Sequence, residues 1–144
     1  MLGFALLLSV GLGEKLLVPM PDAKDVTRMP PMEHMSFQVP LACPDSGEVL
    51  HFYQQRLEAQ GYRLCGSAEV EWKSFPTPVG ESLSYQAVFV SDRAGKVILV
   101  SPSCSLTNGR TTATHQRVSL TLLHDQVTAE VERNFKVSCG PPAK

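Results

Sequence analysis

The seven residues Met29-Pro30-Pro31-Met32-Glu33-His34-Met35 carry the most pointed chemistry in the chain. They form a Met-x-x-Met-x-x-Met pattern with a histidine inside, and apart from Met1 the remaining methionine, Met20, lies just upstream. Thioether sulfur is a soft ligand, and soft ligands select Cu(I) or the chemically similar Ag(I). A proline-stiffened arm could turn Met29, Met32, Met35 and His34 toward one ion. The competing reading is packing. Met35 falls in register with Phe37 and Val39, and Met29 and Met32 can fill gaps where an arm crosses a sheet.

The four cysteines, Cys43, Cys65, Cys104 and Cys139, contain no Cys-x-x-Cys, so zinc-ribbon and thioredoxin-like chemistry lose their signature. An even number fits disulfides in an oxidising compartment, and four cysteines allow three pairings. A helix from Asp45 to Gln60 would rise about 24 Å, and the chain returns only about 13 Å to Cys65. That separation sets Cys43 far from Cys65 for a bond needing Cα atoms about 5–6 Å apart. Cys104–Cys139 is the expected bond, because it would pin a tail that otherwise frays; Cys43 and Cys65 are then the remaining pair.

The sequence carries none of the common catalytic signatures. There is no Gly-x-Ser-x-Gly elbow, Ser-x-x-Lys, Gly-x-Gly-x-x-Gly or Walker motif. Glu69 and Glu71 sit two apart on one strand face, where a solvated surface is the ordinary explanation, and glycosidase carboxylates come from separate elements. His115 and His124 are nine apart and would face opposite sides of an unbroken strand. His51 falls on the polar side of a helix. The chain is therefore expected not to be an enzyme and to need no cofactor, with Cu(I) the exception the methionines would allow.

The elements that would position these groups begin with an uncharged apolar run, Leu2 to Leu12, ending at Glu14-Lys15. It falls short of the roughly 20 residues that span a bilayer, so no transmembrane span is expected. It fits a signal-peptide core, with Gly11 and Gly13 at the positions a peptidase reads, although no basic residue precedes it. Residues 1–13 are expected as a leader and the protein as periplasmic or secreted. The 144 residues carry a net charge of −1 with lysines and arginines scattered singly, which argues against nucleic acid.

Residues 14–34 read as a Pro/Met-rich arm, too dense in proline for a helix. Residues 35–126 read as one domain. Met35, Phe37 and Val39 alternate as a half-buried strand. Asp45 with Glu48 suggests a capping box, Val49, Leu50, Phe52, Tyr53 and Leu57 form a helical stripe, and Gly61 stands where the helix should stop. Strands are expected over Tyr62–Cys65, Val70–Phe75, Tyr85–Val90, Val97–Val100 and Gln116–His124, with Pro76 and Pro78 breaking pairing. Turns fall at Asp92–Gly95 and Asn108-Gly109. The tail, 127–144, fits a short helix through Val127, Val131 and Phe135, or a strand. The sum is an α+β fold: one amphipathic helix on a mostly antiparallel sheet of about five or six strands.

The arm Val18-Pro19-Met20-Pro21-Asp22-Ala23 and the run Phe52-Tyr53, Leu57, Gly61-Tyr62 together resemble a type of small bacterial exported domain. In that type a Pro-x-Pro-Gly-Ala-like arm precedes a strand, and a helix ends in Phe-Tyr-x-x-x-Leu-x-x-x-Gly-Trp. The likeness spans about Val18 to Ser103, with Asp22 in place of the usual Gly and Tyr62 in place of Trp. It implies the α+β fold and export and supplies no activity. The function expected is binding of a protein or envelope partner, with soft-metal binding by the methionine arm and an enzyme of unknown type as the alternatives.

Overall fold

A computed structural model describes residues 16–30 and 33–140. The expected leader and Met32 lie outside the described residues. Within them the chain forms, in order, β1 (Lys24–Arg28), β2 (His34–Val39), α1 (Glu48–Ala59), β3 (Arg63–Cys65), β4 (Lys73–Thr77), β5 (Gly80–Ser84), β6 (Ala87–Ser91), β7 (Lys96–Thr107), β8 (Gln116–Leu123) and α2 (Thr128–Phe135). All eight strands join one antiparallel sheet, so the α+β class holds. The strand number exceeds the expected five or six, and a second helix is present.

The sheet is organised by β7, the longest strand. β8 pairs with it along one side, and β2 and then β1 follow outward. On the other side the sheet forks. The first half of β7 pairs with β6, which carries β3, and the second half pairs with β5, which carries β4. The chain crosses the fork at Tyr85-Gln86, where the Tyr85 amide donates to the Pro102 carbonyl at 3.2 Å.

One face of the sheet is covered by α1. Its buried residues Val49, Leu50, Tyr53 and Leu57 lie against Met35, Phe37, Phe89, Ile98, Val118 and Leu120. Each such side chain contributes about 1.5–3 kcal/mol on burial. The helix starts at Gly47 rather than in a capping box at Asp45. Asp45 Oδ1 instead accepts from the Gly47 amide at 2.9 Å. Gly47 has φ 106°, and a Cβ there would press on Val70. The end falls as expected. Gly61 has φ 90°, and the Tyr62 and Gly61 amides donate to the Leu57 and Glu58 carbonyls, the bonding of a Schellman turn.

Among the described residues the opposite face is covered only over its first half. There Val131 of α2, with Phe135 and Val137, packs on Val88, Val90, Val97 and Leu99. Of the expected tail stripe, Val131 is buried and Val127 is exposed, standing as the helix N-cap.

Three strand readings change. Lys24–Arg28, expected within the arm, is exposed throughout but pairs with β2 as an edge strand. Lys73–Thr77 replaces the expected Val70–Phe75, and Pro76 sits inside it opposite Glu81. β4 is the outermost strand, so its proline needs no ladder donor on the open side. Gly80–Ser84 is a strand that Pro76 and Pro78 disguised.

Candidate binding face

The disulfides differ from the expected bond. Cys43 pairs with Cys104 and Cys65 with Cys139. Parity explains why. Along β7, Ile98, Val100, Cys104 and Leu106 share one face, the one α1 covers, and Cys43 lies just before α1 on that side. Cys65 is opposite Val88, which is opposite Leu99, on the other face, where the C-terminal segment brings Cys139. A Cys104–Cys139 bond would have to pass through the sheet.

The described members of the methionine set, Met29, Met35 and His34, do not come together either. Met35 is fully buried among the α1-side core residues. His34, one residue away, points to the opposite face and its Nδ1 lies 2.9 Å from Thr121 Oγ1. Met29 is 49% exposed at the turn between β1 and β2, and Met20 is partly buried against the core. Among the described residues no group of three His, Cys, Asp or Glu side chains gathers at metal-holding distance. His115 and His124 flank β8 rather than lie in it; His124 Nε2 is 3.0 Å from Glu33 Oε1. Glu69, Glu71 and His51 are exposed.

What the fold does assemble is a polar face on the uncovered half of the sheet. In β7 the run Ser101-Pro102-Ser103-Cys104-Ser105-Leu106-Thr107 buries Pro102, Cys104 and Leu106 and leaves the hydroxyls on the other side. Directly paired residues of antiparallel strands share a face, so the registers extend this pattern sideways. Ser101, Ser119 and Ser36 form one row across β7, β8 and β2. The next row runs across six strands: Lys24, Gln38, Arg117, Ser103, Ser84 and Lys73. Ser105, Ser82 and Phe75 make a third. Consecutive rows are about 7 Å apart along the strands.

These side chains are partly tied to each other. Arg117 Nη1 donates to Ser36 Oγ at 3.3 Å, and Gln86 Nε2 donates to Ser101 Oγ at 3.4 Å. Both serines accept in these bonds, which leaves their hydroxyl protons free to donate outward. A shallow recess of about 290 Å³ lies on the rows, lined by Gln38, Ser82, Ser103, Ser105, His115 and Arg117 among others.

A larger cleft of about 730 Å³ opens where the sheet forks. Lys73, Phe75 and Ser84 line it from β4 and β5, Ser101 and Gln86 from the fork, and Phe135 and Lys136 from α2 and its end. It is therefore continuous with the hydroxyl rows. Tyr85 at this cleft packs edge-on against Trp72 at 4.6 Å. Burial pushes its phenol well above the ordinary range, and its oxygen accepts from the Leu50 amide. Its ring contact and its bond to the α1 amide tie the helix to the sheet at the fork. Trp72 in turn donates to the Asp45 carbonyl at 2.9 Å. The buried Gln116 holds the same loop, donating to Asp45 Oδ2 at 2.7 Å and the Ala42 carbonyl at 2.8 Å.

The opposite end of the sheet is fastened by Arg63. Its Nε donates to Asp92 Oδ2 at 2.8 Å and its Nη1 to the Cys139 carbonyl, while Thr128 Oγ1 donates to Asp92 Oδ1 at 2.7 Å. The Arg63 and Thr128 hydrogen bonds hold the Asp92 carboxyl below the usual range. This cluster anchors α2 over the first half of β7 and so sets where the covered half ends.

Sequence reasoning missed the face, yet its signal is plain: Ser101-x-Ser103-x-Ser105-x-Thr107, Arg117-x-Ser119-x-Thr121, His34-x-Ser36-x-Gln38 and Ser82-x-Ser84 each repeat every second residue. No family model, curated protein or solved structure matches the chain.

Proposed function

We propose that the chain is an exported, non-enzymatic binding domain that holds an envelope component against the uncovered half of its sheet. The observation that carries this reading is the set of hydroxyl rows continuous with the fork cleft, which neither helix covers. Two disulfides support an oxidising compartment, and the apolar leader and the likeness of arm and helix to small bacterial exported domains point the same way. Among the described residues no helix is long and apolar enough to cross a membrane. Donors and acceptors on a rigid sheet suit recognition of a polar partner.

The test compares immobilised wild-type protein with a variant carrying Ser82→Tyr and Ser105→Tyr on this face. A control carries Gln55→Tyr and Glu58→Tyr on the solvent side of α1. Each is exposed to fractionated envelope of the host cell. An envelope component retained by wild type and control and lost by the face variant supports the reading. Equal retention by all three, or none by wild type, overturns it.

A further inference from the structure

The row across six strands has a chemistry more specific than polarity, and the inference from it rests on the reading of this face as the binding surface. We propose that the row Lys24–Gln38–Arg117–Ser103–Ser84–Lys73 takes an acidic polysaccharide strand, laid across the β-strands, with Phe75 covering an apolar sugar face. Six strands span five inter-strand spacings, about 24 Å. Cations occupy the first, third and sixth places, so they stand about 10 and 14 Å apart at the backbone. Between them lie an amide and two hydroxyls, which donate and accept as sugar hydroxyls do. No Asp or Glu occupies any of the three rows; Glu69 and Glu71 line the adjoining fork cleft beside Lys73. Phe75 is 54% exposed, on the same face as Lys73 and two residues along the same strand.

Other occupants fit less well. A nucleic acid presents far denser charge, about one per 1.7 Å of duplex axis, and its single strands want several stacking rings, where this face offers Phe75. A protein partner wants a buried apolar or aromatic centre, where the rows offer serines. A polymer rich in hydroxyls, with carboxylates spaced a sugar or more apart, matches both the sparse cations and the groups between them.

Calorimetric titration with oligogalacturonate and with hyaluronan oligosaccharides tests this, beside carboxyl-reduced oligogalacturonate and oligodeoxythymidylate. Wild type is expected to bind at least one acidic glycan, at least about tenfold more tightly than the reduced, neutral one. Arg117→Gln should weaken that binding about tenfold, as loss of a charged hydrogen bond does, with partial recovery in Arg117→Lys. Ser103→Val and the milder Ser103→Ala should both weaken it, in protein whose circular dichroism is unchanged. Equal binding of the neutral glycan overturns the assignment, as does oligodeoxythymidylate binding as tight and insensitive to Ser103. If neither acidic glycan binds while the Ser82/Ser105 variant still loses its envelope component, the glycan assignment fails and the binding face stands. If both fail, both fall.

Discussion

Replacing Cys43 and Cys104 together by alanine should lower global stability by about 4 kcal/mol. The two cysteines are 61 residues apart in sequence. Cross-linking a loop of that length removes about 14 cal/mol/K of entropy from the unfolded chain, about 4.3 kcal/mol at 25 °C. Against a total of about 5–15 kcal/mol for a domain, that is a large share. The native state should survive the change. Cys43 is also held by paired backbone bonds to Ala113, at 2.9 and 2.8 Å, and both cysteines are buried in a cluster with Leu83 and Leu106. The loss therefore lies in the unfolded state. Urea unfolding, with the slope fitted separately for each protein, measures it. A loss under about 1 kcal/mol would refute the chain-entropy argument here and mean that the unfolded chain already keeps Cys43 near Cys104.

The second bond sharpens the same test. Cys65 and Cys139 are 74 residues apart, and the same relation gives about 4.4 kcal/mol. Here, however, the chain beyond β8 can detach by itself. In the Cys65→Ala, Cys139→Ala protein, hydrogen exchange in α2 should rise by local opening while β7 and β8 stay protected. In the Cys43→Ala, Cys104→Ala protein, exchange should rise throughout. The reverse pattern would refute the reading of α2 as a cover that opens apart from the rest of the sheet.

Two pH dependences follow from the shifted groups. Asp92, whose carboxyl Arg63 and Thr128 hold low, contributes stability that is present above its unfolded value near about pH 3.9 and is lost as pH falls through the lower folded value. The stability gap between wild type and Asp92→Asn should therefore shrink in acid, read by thermal unfolding; a gap that widens below pH 4 would reverse the sign. Tyr53, Tyr62 and Tyr85 are all pushed up, chiefly by burial, so their contribution is full below about pH 10 and is lost as pH rises above it. Tyrosinate absorbance should appear together with loss of sheet circular dichroism, and an ordinary titration in intact protein would contradict the burial.

The parts of the fold legible in the sequence were those with a period or a stop signal of their own. Val49 to Leu57, Gly61, the Asp92–Gly95 turn and the apolar Val97–Val100 run all fall where their patterns place them. Misreadings occurred where the deciding fact was a neighbour. Pro76 forbids a central strand, but nothing local says that its strand is outermost. Lys24–Arg28 has no buried residue and becomes a strand only because β2 offers an edge. Cys104 and Cys139 looked free to meet because the parity of β7 matters only once both faces of the sheet are assigned.

Methionine spacing suggested a metal site and serine spacing builds the polar face, and the difference lies in period. Met29, Met32 and Met35 repeat every third residue, which on an extended chain alternates their faces; Met35 accordingly sits in the core and His34 on the far side. Ser101, Ser103 and Ser105 repeat every second residue and stay on one face. β7 itself changes period at Ser101: Val97-Ile98-Leu99-Val100 is apolar on both faces, whereas Ser101 to Thr107 alternates. Continuous apolarity demands a cover on each side, and α1 and α2 supply it. Alternation demands only one. The strand thus records within its own twelve residues where the second helix must end and where one face of the sheet needs no cover.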